Sequence, residues 1–282
     1  MTEKAKGESE QAAASQAQSG TQPETPPETL ETPWPRAISA APIAGQTAWR
    51  APARADIAGD GVRLEPLDPA RHGAALWQAM QDDDPARWHY LPYGPYDRAE
   101  TMAAHLTTCA ATADPLFFAI LPDETGVAEG VASYLEIDPD HGIIEIGHIW
   151  LGPRLSRRRA ATAAFRAMIG HAMDDLGYRR MQWKCDAMNA PSRAAARRLG
   201  FRYEGVLHAV RVVKGRNRDT AYYSILDTEW PAIRAVMDTW LAATPPDGSP
   251  NAPQDDPPIG APIGAPAQSL SSMTKALPPS AR

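Results

Sequence analysis

The alternation of apolar and polar residues divides the chain into three parts. Between residues 61 and 243, strand-like runs take turns with segments in which apolar residues recur every three or four positions, as on one face of a helix. Residues 1–60, rich in proline, alanine and glutamine, and the proline-rich residues 244–282 show neither period. We therefore expect one folded domain between two disordered tails.

The first half of the predicted domain has the pattern of an antiparallel sheet with two helices. Alternation predicts a strand at 62–67, and helices are expected to begin at Pro69 and near Arg98. Turn-forming residues at 122–126 and 138–142 favour hairpins, so the strands that they join are antiparallel. These strands are predicted at 116–121, 127–137 and 142–151.

The second half changes to a helical period and then returns to strands. Apolar residues recur at helical spacing from Arg158 to Leu176, and Gly177 is suited to end that helix. A strand at 178–187 and a short helix capped by Asn189 follow. The remaining elements are strands at 201–213 and 220–226 and a helix at 232–243. The whole predicts an α/β fold of the α+β type, a mixed sheet with helices on both faces.

Composition narrows the classes of function. The chain has 28 basic and 34 acidic residues and a formal charge of −6, which argues against a general nucleic-acid or anionic-membrane surface. Cys109 and Cys185 are its only cysteines, and no apolar run follows a basic start, so we expect no disulfide framework, no metal site and a cytoplasmic location. No stretch approaches the ~18 apolar residues of a membrane span.

Three consecutive arginines lie where the long helix is predicted to begin. Arg157, Arg158 and Arg159 add positive charge to a helix end that is already partly positive, at a cost of up to about 1 kcal/mol each when exposed. A bound phosphate would offset this cost by accepting hydrogen bonds from free backbone N–H groups and guanidinium groups. A second helix start, at Asn189 and Ser192, suits the same long anionic ligand, and we predict a coenzyme A site. The alternatives are a solvated arginine run and an ordinary helix cap.

Several short motifs follow one another in a fixed order. They are Glu145–Pro153, Arg159–Thr162, Asn189–Ser192, Leu199–Phe201 and Glu204–Gly205. Through these motifs, residues 61–230 resemble the GCN5-related N-acetyltransferase (GNAT) superfamily, and within it the branch that includes the ribosomal-protein N-terminal acetyltransferases. The resemblance implies a mixed, mostly antiparallel sheet with a V-shaped split between its fourth and fifth strands, in which acetyl-CoA binds as a co-substrate.

The resemblance also implies which residues bind the coenzyme. Backbone groups near residues 149–151 would hold its pantetheine arm, and the turn from Ser156 to Ala161 would hold its phosphates. In this turn the family usually carries glycines where this chain has Arg157 and Arg159. The implied coenzyme-binding residues are Ile149, Trp150, Leu151, Arg157, Arg158, Arg159, Ala160, Ala161, Thr162 and Asn189.

Acetyl transfer to an amine requires a base, because an amine is protonated near neutral pH. Glu145 and His148 are the main candidates, and Asp186 and Tyr223 are weaker ones. Each of the main candidates has an alternative structural interpretation, since strand carboxylates often pair with a neighbouring cation and strand histidines are often only hydrogen-bonded. Backbone N–H groups around residues 149–150 would stabilise the oxyanion that forms at the carbonyl.

The general acid departs from the family pattern. Many relatives carry a tyrosine seven residues after the asparagine, but here that position is Ala196. We expect Ser192 to substitute for it, as the resemblance to the ribosomal-protein branch implies. We interpret Cys185 as a small buried residue rather than a nucleophile, because direct transfer to an amine needs none.

The aromatic loop at 88–96 is predicted to bind the acceptor. Trp88, Tyr90 and Tyr93 would hold a short amine or a peptide terminus, unless the loop is only anchored to the core by Trp88 and Tyr90. We interpret the chain as an N-acetyltransferase acting on a peptide N-terminus or a small molecule by direct attack. The alternative is a non-catalytic module of the same fold that binds a coenzyme A ester or a protein partner. We expect a monomer or homodimer with no nucleic-acid or membrane partner.

Overall fold

The computed structural model describes residues 31–40, 42, 43, 45 and 48–245, and these form an eight-stranded sheet with helices on both faces. The strand order in this part of the chain is β1-β2-β3-β4-β5-β6-β8-β7. The strands are β1 (Ile57–Gly59), β2 (Val62–Pro66), β3 (Leu116–Pro122), β4 (Gly130–Asp138), β5 (Ile143–Leu151), β6 (Arg180–Asp186), β7 (Arg202–Val213) and β8 (Arg216–Leu226). The helices are α1 (Pro69–Gln81), α2 (Ala99–Ala111), α3 (Arg159–Gly170), α4 (Ala190–Arg198) and α5 (Trp230–Ala243).

The folded domain begins earlier than the sequence pattern predicts. Strand β1 pairs with β2, and Trp49 is buried with its indole N–H donating to a backbone carbonyl at 2.6 Å. The Arg36 guanidinium donates to a carboxylate oxygen of Glu204 at 2.6 Å. Single anchoring side chains of this kind leave no periodic trace, which explains the missed boundary. The remainder of the two predicted tails, residues 1–30 and 246–282, lies outside the described residues.

Strands β5 and β6 are parallel neighbours that part from each other. They pair over three positions only, from Ile143 opposite Arg180 to Glu145 opposite Gln182. Beyond that point each strand continues, and β6 stays paired with β8 along its full length. The sheet therefore opens into a V, which confirms the predicted mixed, mostly antiparallel sheet and its split. The two strands are the fifth and sixth here because β1 precedes them.

Helices bury the two faces of the sheet unequally. On one face, α3 and α5 pack over the central strands, where Ile144, Met168 and Ile233 belong to the main core. On the other face, α1 and α2 bring Leu76 and Leu106 into a second core. The polar residues of β5 and β6 alternate with those of the main core and so face the second side. Within the described residues, no helix is both long and apolar enough to cross a membrane.

Candidate active site

The V between β5 and β6 opens into a cleft of about 1680 Å³. This is larger than the roughly 300–1,000 Å³ of a pocket for one drug-sized ligand. Nine basic and three acidic residues line the cleft, although the whole chain carries a net charge of −6. The basic residues are Arg87, Arg157, Arg158, Arg159, Lys184, Arg197, Arg198, Arg211 and Arg218. The cleft therefore suits a long ligand with several negative charges.

The start of α3 forms one end of the cleft. Arg158 is the N-cap residue and supplies no side-chain hydrogen bond to the helix. Arg157, just before it, has a φ of +61°, in the left-handed region that costs a non-glycine residue about 1–2 kcal/mol. The turn thus keeps a glycine-like backbone shape at a position where the family usually carries glycine, while an exposed arginine side chain occupies it.

The first turn of α3 overlaps the predicted phosphate-binding turn, residues 156–161. Ala161 and Thr162 line the cleft, and Ala160 packs against the main core. The Thr162 hydroxyl accepts a hydrogen bond of 2.8 Å from the guanidinium of Arg198, which lies on α4. This bond joins the first turn of α3 to the C-terminal end of α4, and it brings to the site an arginine that sequence reasoning did not select.

The structure corrects the prediction for the Arg159 side chain. It is 6% exposed, and its guanidinium donates to the backbone carbonyls of Asp60, at 2.9 Å, and Leu241, at 3.0 Å. It also forms an ion pair with the Asp60 carboxylate. The guanidinium therefore ties the start of α3 to the β1–β2 turn and to the end of α5, and these contacts use four of its five N–H donors.

Strand β5 bulges beside the cleft. Two of its residues, His148 and Ile149, lie opposite a single residue of β4, Ala132, and His148 has a φ of +50°. Such a bulge interrupts the ladder and turns backbone groups away from the neighbouring strand. Ile149 and Leu151 line the cleft.

The Trp150 side chain lies outside the cleft. Its side chain is buried in the second core, and its indole N–H donates to the Asp83 carboxylate at 2.9 Å. Any contact of Trp150 with a ligand in the cleft would therefore involve its backbone groups, as predicted for residues 149–151.

Glu145 is buried where β5 and β6 begin to part. Its carboxylate lies 3.0 Å from the ammonium of Lys184, which also contacts Glu136. Burial raises the pKa of Glu145 to about 7, against the opposing effect of the Lys184 charge. A carboxyl group with this pKa can accept a proton at neutral pH and release it again.

His148 also lines the cleft, but as a neutral group. Burial, together with the nearby His105 and Arg218, lowers its pKa to about 4. Its Nδ1 atom lies 3.2 Å from the Tyr93 hydroxyl, and the two rings stack with their centroids 5.7 Å apart. At pH 7 this imidazole is a weak base and a hydrogen-bonding partner of Tyr93.

Helix α4 begins on the far side of the cleft. The Asn189 side chain accepts a hydrogen bond of 3.1 Å from the Ser192 backbone N–H, so it caps the helix. The Ser192 hydroxyl accepts a 3.0 Å hydrogen bond from the Trp183 indole. Burial raises the pKa of the nearby Cys185 thiol to about 11, which makes it a poor nucleophile at neutral pH.

The three aromatic residues predicted to bind the acceptor have different positions. Trp88 is 2% exposed and packs against Trp150, with ring centroids 5.0 Å apart, so it anchors the loop as in the alternative interpretation. Tyr90 lines the cleft and donates to the Met188 carbonyl at 3.2 Å. Tyr93 is half-buried and reaches the cleft through His148.

Sequence reasoning missed the charged residues that β6, β7 and β8 add to the cleft. Lys184, Arg211 and Arg218 line it, and Lys214 at the hairpin tip donates to the carbonyls of Trp88 and Gly94. Lys184 could have been found from the sequence, because it alternates with the buried residues of β6 and so lies on the same face as the cleft. The strands of the hairpin carry no comparable signal, because the outer half of β7 is exposed on both faces and the outer half of β8 is exposed or only half-buried. Among the described residues, no group of three His, Cys, Asp or Glu side chains could hold a metal ion.

A split sheet, a bulged strand beside the opening and a basic helix start define an N-acetyltransferase fold. A family model described as an acetyltransferase (GNAT) domain matches residues 62–202, half of the chain. The chain therefore belongs to the GNAT acetyltransferase family, which confirms the resemblance and the acyltransferase class inferred from the motifs.

Individual relatives agree with this assignment. A GCN5-related N-acetyltransferase from Brucella melitensis is 41% identical, over 73% of this chain and 95% of that one, with a TM-score of 0.71. A GNAT-family protein from Chromobacterium violaceum ATCC 12472 is 42% identical, over 70% of this chain and 99% of that one, with a TM-score of 0.65. YdaF of Bacillus subtilis (strain 168), provisionally named a ribosomal N-acetyltransferase, is 33% identical over 101 residues. That match covers 36% of this chain and 55% of YdaF, so the chain spans only about half of that relative's length.

Proposed function

We propose that this protein transfers an acetyl group from acetyl-CoA to a primary amine by direct attack. The observation that carries the proposal is the Glu145 carboxyl, buried where the two strands part, with a pKa of about 7. It lies in a cleft in which basic residues outnumber acidic ones. A base poised near neutrality in a cleft suited to an anionic ligand is what amine acetylation requires.

Basic residues that line the cleft would bind the coenzyme. Arg157 and Arg158, with the backbone N–H groups at the start of α3, would bind the phosphates. The bulged stretch of β5 and the Asn189 side of the cleft would hold the pantetheine arm. The Arg159 guanidinium has no part in this arrangement, because Asp60 and Leu241 occupy it.

Glu145 would act as the base that removes the proton from the acceptor amine. Its pKa of about 7 lies roughly one unit below that of an α-amino group and more than three units below that of a lysine side chain. Proton transfer to Glu145 therefore costs much less free energy from an α-amine than from a lysine side chain. This difference favours a peptide N-terminus or a small α-amine as acceptor. His148, with a pKa of about 4, is a poorer base. Backbone N–H groups at the β5 bulge would stabilise the oxyanion.

Arg158→Ala is expected to weaken acetyl-CoA binding by about 10- to 100-fold at low salt, since it removes a charge-assisted contact to phosphate. The loss is expected to shrink at high salt, because exposed charges are screened. Calorimetric titrations at two ionic strengths measure both effects. Arg234→Ala removes an equal charge from α5, outside the cleft, and is the control. Unchanged affinity in Arg158→Ala would exclude phosphate binding by this side chain.

Ser192→Ala is expected to lower turnover by about tenfold, less than a full general-acid effect of roughly 10²-fold or more, because a thiolate leaves readily. Acetyl-CoA affinity should persist, since the Asn189 cap accepts the backbone N–H of residue 192 and not its hydroxyl. Thiol release under saturating substrates measures the first quantity and calorimetry the second. Wild-type turnover would rule out a catalytic role for this hydroxyl.

The direct test is titration of the purified chain with acetyl-CoA, followed by measurement of thiol release on addition of amines. The panel contains peptides with free N-termini, because of the ribosomal name of YdaF, and small α-amines. Binding with amine-dependent thiol release supports the proposal. Binding without release by any amine would favour the non-catalytic alternative. Absence of acetyl-CoA binding would exclude the transferase and leave only the form of the alternative that binds a protein partner. Cytoplasmic location and oligomeric state remain predictions from the sequence.

A further inference from the structure

Arg218 differs from the other cations near Glu145. It lies on β8 and lines the cleft, and its Nε atom is buried without a hydrogen-bond partner in the described part of the chain. Lys184 is neutralised by Glu145 and Glu136, and Arg211 lies 3.3 Å from Glu136. Arg218 forms no such ion pair with a described acidic residue. A desolvated guanidinium donor without an acceptor is costly, so this geometry points to an anion supplied by a ligand.

The position of Arg218 indicates which ligand supplies the anion. The strand register places it opposite Arg211 and two residues before Thr220, which pairs with Asp186 at the open end of β6. Its charge lowers the pKa of both Glu145 and His148, so it is close enough to act on the groups that face the reacting amine. The phosphate-binding arginines lie at the start of α3, and an acetyl thioester is uncharged. An anion at Arg218 therefore belongs to the acceptor.

We propose that Arg218 determines acceptor specificity by binding a carboxylate that lies a few bonds from the reacting amine. This inference rests on the proposed function. The planar guanidinium matches a carboxylate with two parallel hydrogen bonds. The carboxylate has two sources, the α-carboxylate of a free amino acid or the side chain of an acidic first residue in a peptide. The Arg218 contact selects acceptors of this class and holds their amine close to Glu145.

The test compares matched amines that differ only in the carboxylate. Serine and serine amide probe the α-carboxylate, and aspartyl-alanine amide and asparaginyl-alanine amide probe the side-chain carboxylate. Their affinities are measured by calorimetry on the full chain with desulfo-CoA present, so that no reaction occurs. We expect the carboxylate form of at least one pair to bind about 10- to 100-fold more tightly than its amide. The pair that shows the preference identifies the source.

Three variants separate the role of Arg218 from general charge effects. Arg218→Gln is expected to abolish the preference, and Arg218→Lys, which keeps the charge without the planar fork, is expected to leave part of it. Arg216→Gln removes the same charge from an exposed position of β8 outside the cleft and is expected to keep the full preference. Equal affinities within both pairs, no binding by any of the four amines, or a preference that survives Arg218→Gln would overturn the inference. A retained preference without thiol release from acetyl-CoA would count against the proposed function alone.

Discussion

Replacing Glu145 with glutamine is expected to lower kcat/KM for amine acetylation by about 10²- to 10⁴-fold, the usual contribution of a general base. Glutamine keeps the size of the side chain but cannot take a proton. Acetyl-CoA affinity should change little, because the arginines proposed to bind its phosphates lie at the start of α3 and not on β5. Thiol release at several amine concentrations gives kcat/KM, and calorimetry gives the affinity.

The matched control for this variant is Glu136→Gln. Glu136 also contacts Lys184, but its side chain is 43% exposed, whereas Glu145 is buried. We expect a far smaller loss of activity in Glu136→Gln than in Glu145→Gln. Equal losses would show that the Lys184 network as a whole, rather than the Glu145 carboxylate, supports the reaction.

The pH dependence of the acetylation rate is a second test of Glu145 as the base. Only the ionised carboxyl accepts a proton, and burial raises the pKa of Glu145 to about 7. The rate is therefore expected to rise with pH up to about 7 and to fall about tenfold for each unit below it. The acceptor amine adds a separate rise at higher pH. Glu145→Gln should remove the limb near pH 7 and leave the amine limb, and persistence of the first limb would assign it to another group.

Arg159→Ala is expected to lower the free energy of unfolding by about 2–4 kcal/mol. The substitution leaves the Asp60 carbonyl without its donor, takes the guanidinium donors from the Leu241 carbonyl, and removes a buried side chain. The Asp60 carboxylate is 62% exposed and stays hydrated, so the lost ion pair itself adds little. Urea unfolding, followed by tryptophan fluorescence, measures the change through the midpoint concentration.

Arg158→Ala provides the neighbouring control for stability. Its side chain is exposed, so its removal should change the free energy of unfolding by no more than about 0.5 kcal/mol. The two adjacent arginines would then have different roles: Arg159 would affect stability and Arg158 would affect coenzyme affinity. Wild-type stability in Arg159→Ala would show that the contacts of Arg159 with Asp60 and Leu241 do not stabilise the fold.

Local pattern was sufficient for most of the fold. The strand at 142–151, the helix after it and the Asn189 cap were all predictable, because periodicity and capping depend on residues close together in sequence. The start of the domain was not predictable, because single residues rather than a periodic segment attach it to the core. Trp49, for example, reaches a carbonyl 128 residues away, a contact that no periodicity records.

The chemistry of the site was predictable only in part. Glu145 and Ser192 could be selected from their motif positions, and both line the cleft. The direction of the Arg159 side chain could not be inferred, because its partners are 82 and 99 residues distant. The same limit applies to Arg218, whose place in the cleft depends on how the β7–β8 hairpin folds over β6.

The parting of β5 from β6 places two strand edges in the interior of a sheet. Beyond Glu145, these edges present backbone donors and acceptors with no opposing strand. The arm of coenzyme A is itself an extended chain with amide groups, so a bound coenzyme would serve as a substitute strand and make the sheet continuous. Amide hydrogens along both edges should then exchange quickly in the free protein and slowly in the complex. The rigidity of the sheet centre would thus depend on the concentration of coenzyme around the protein.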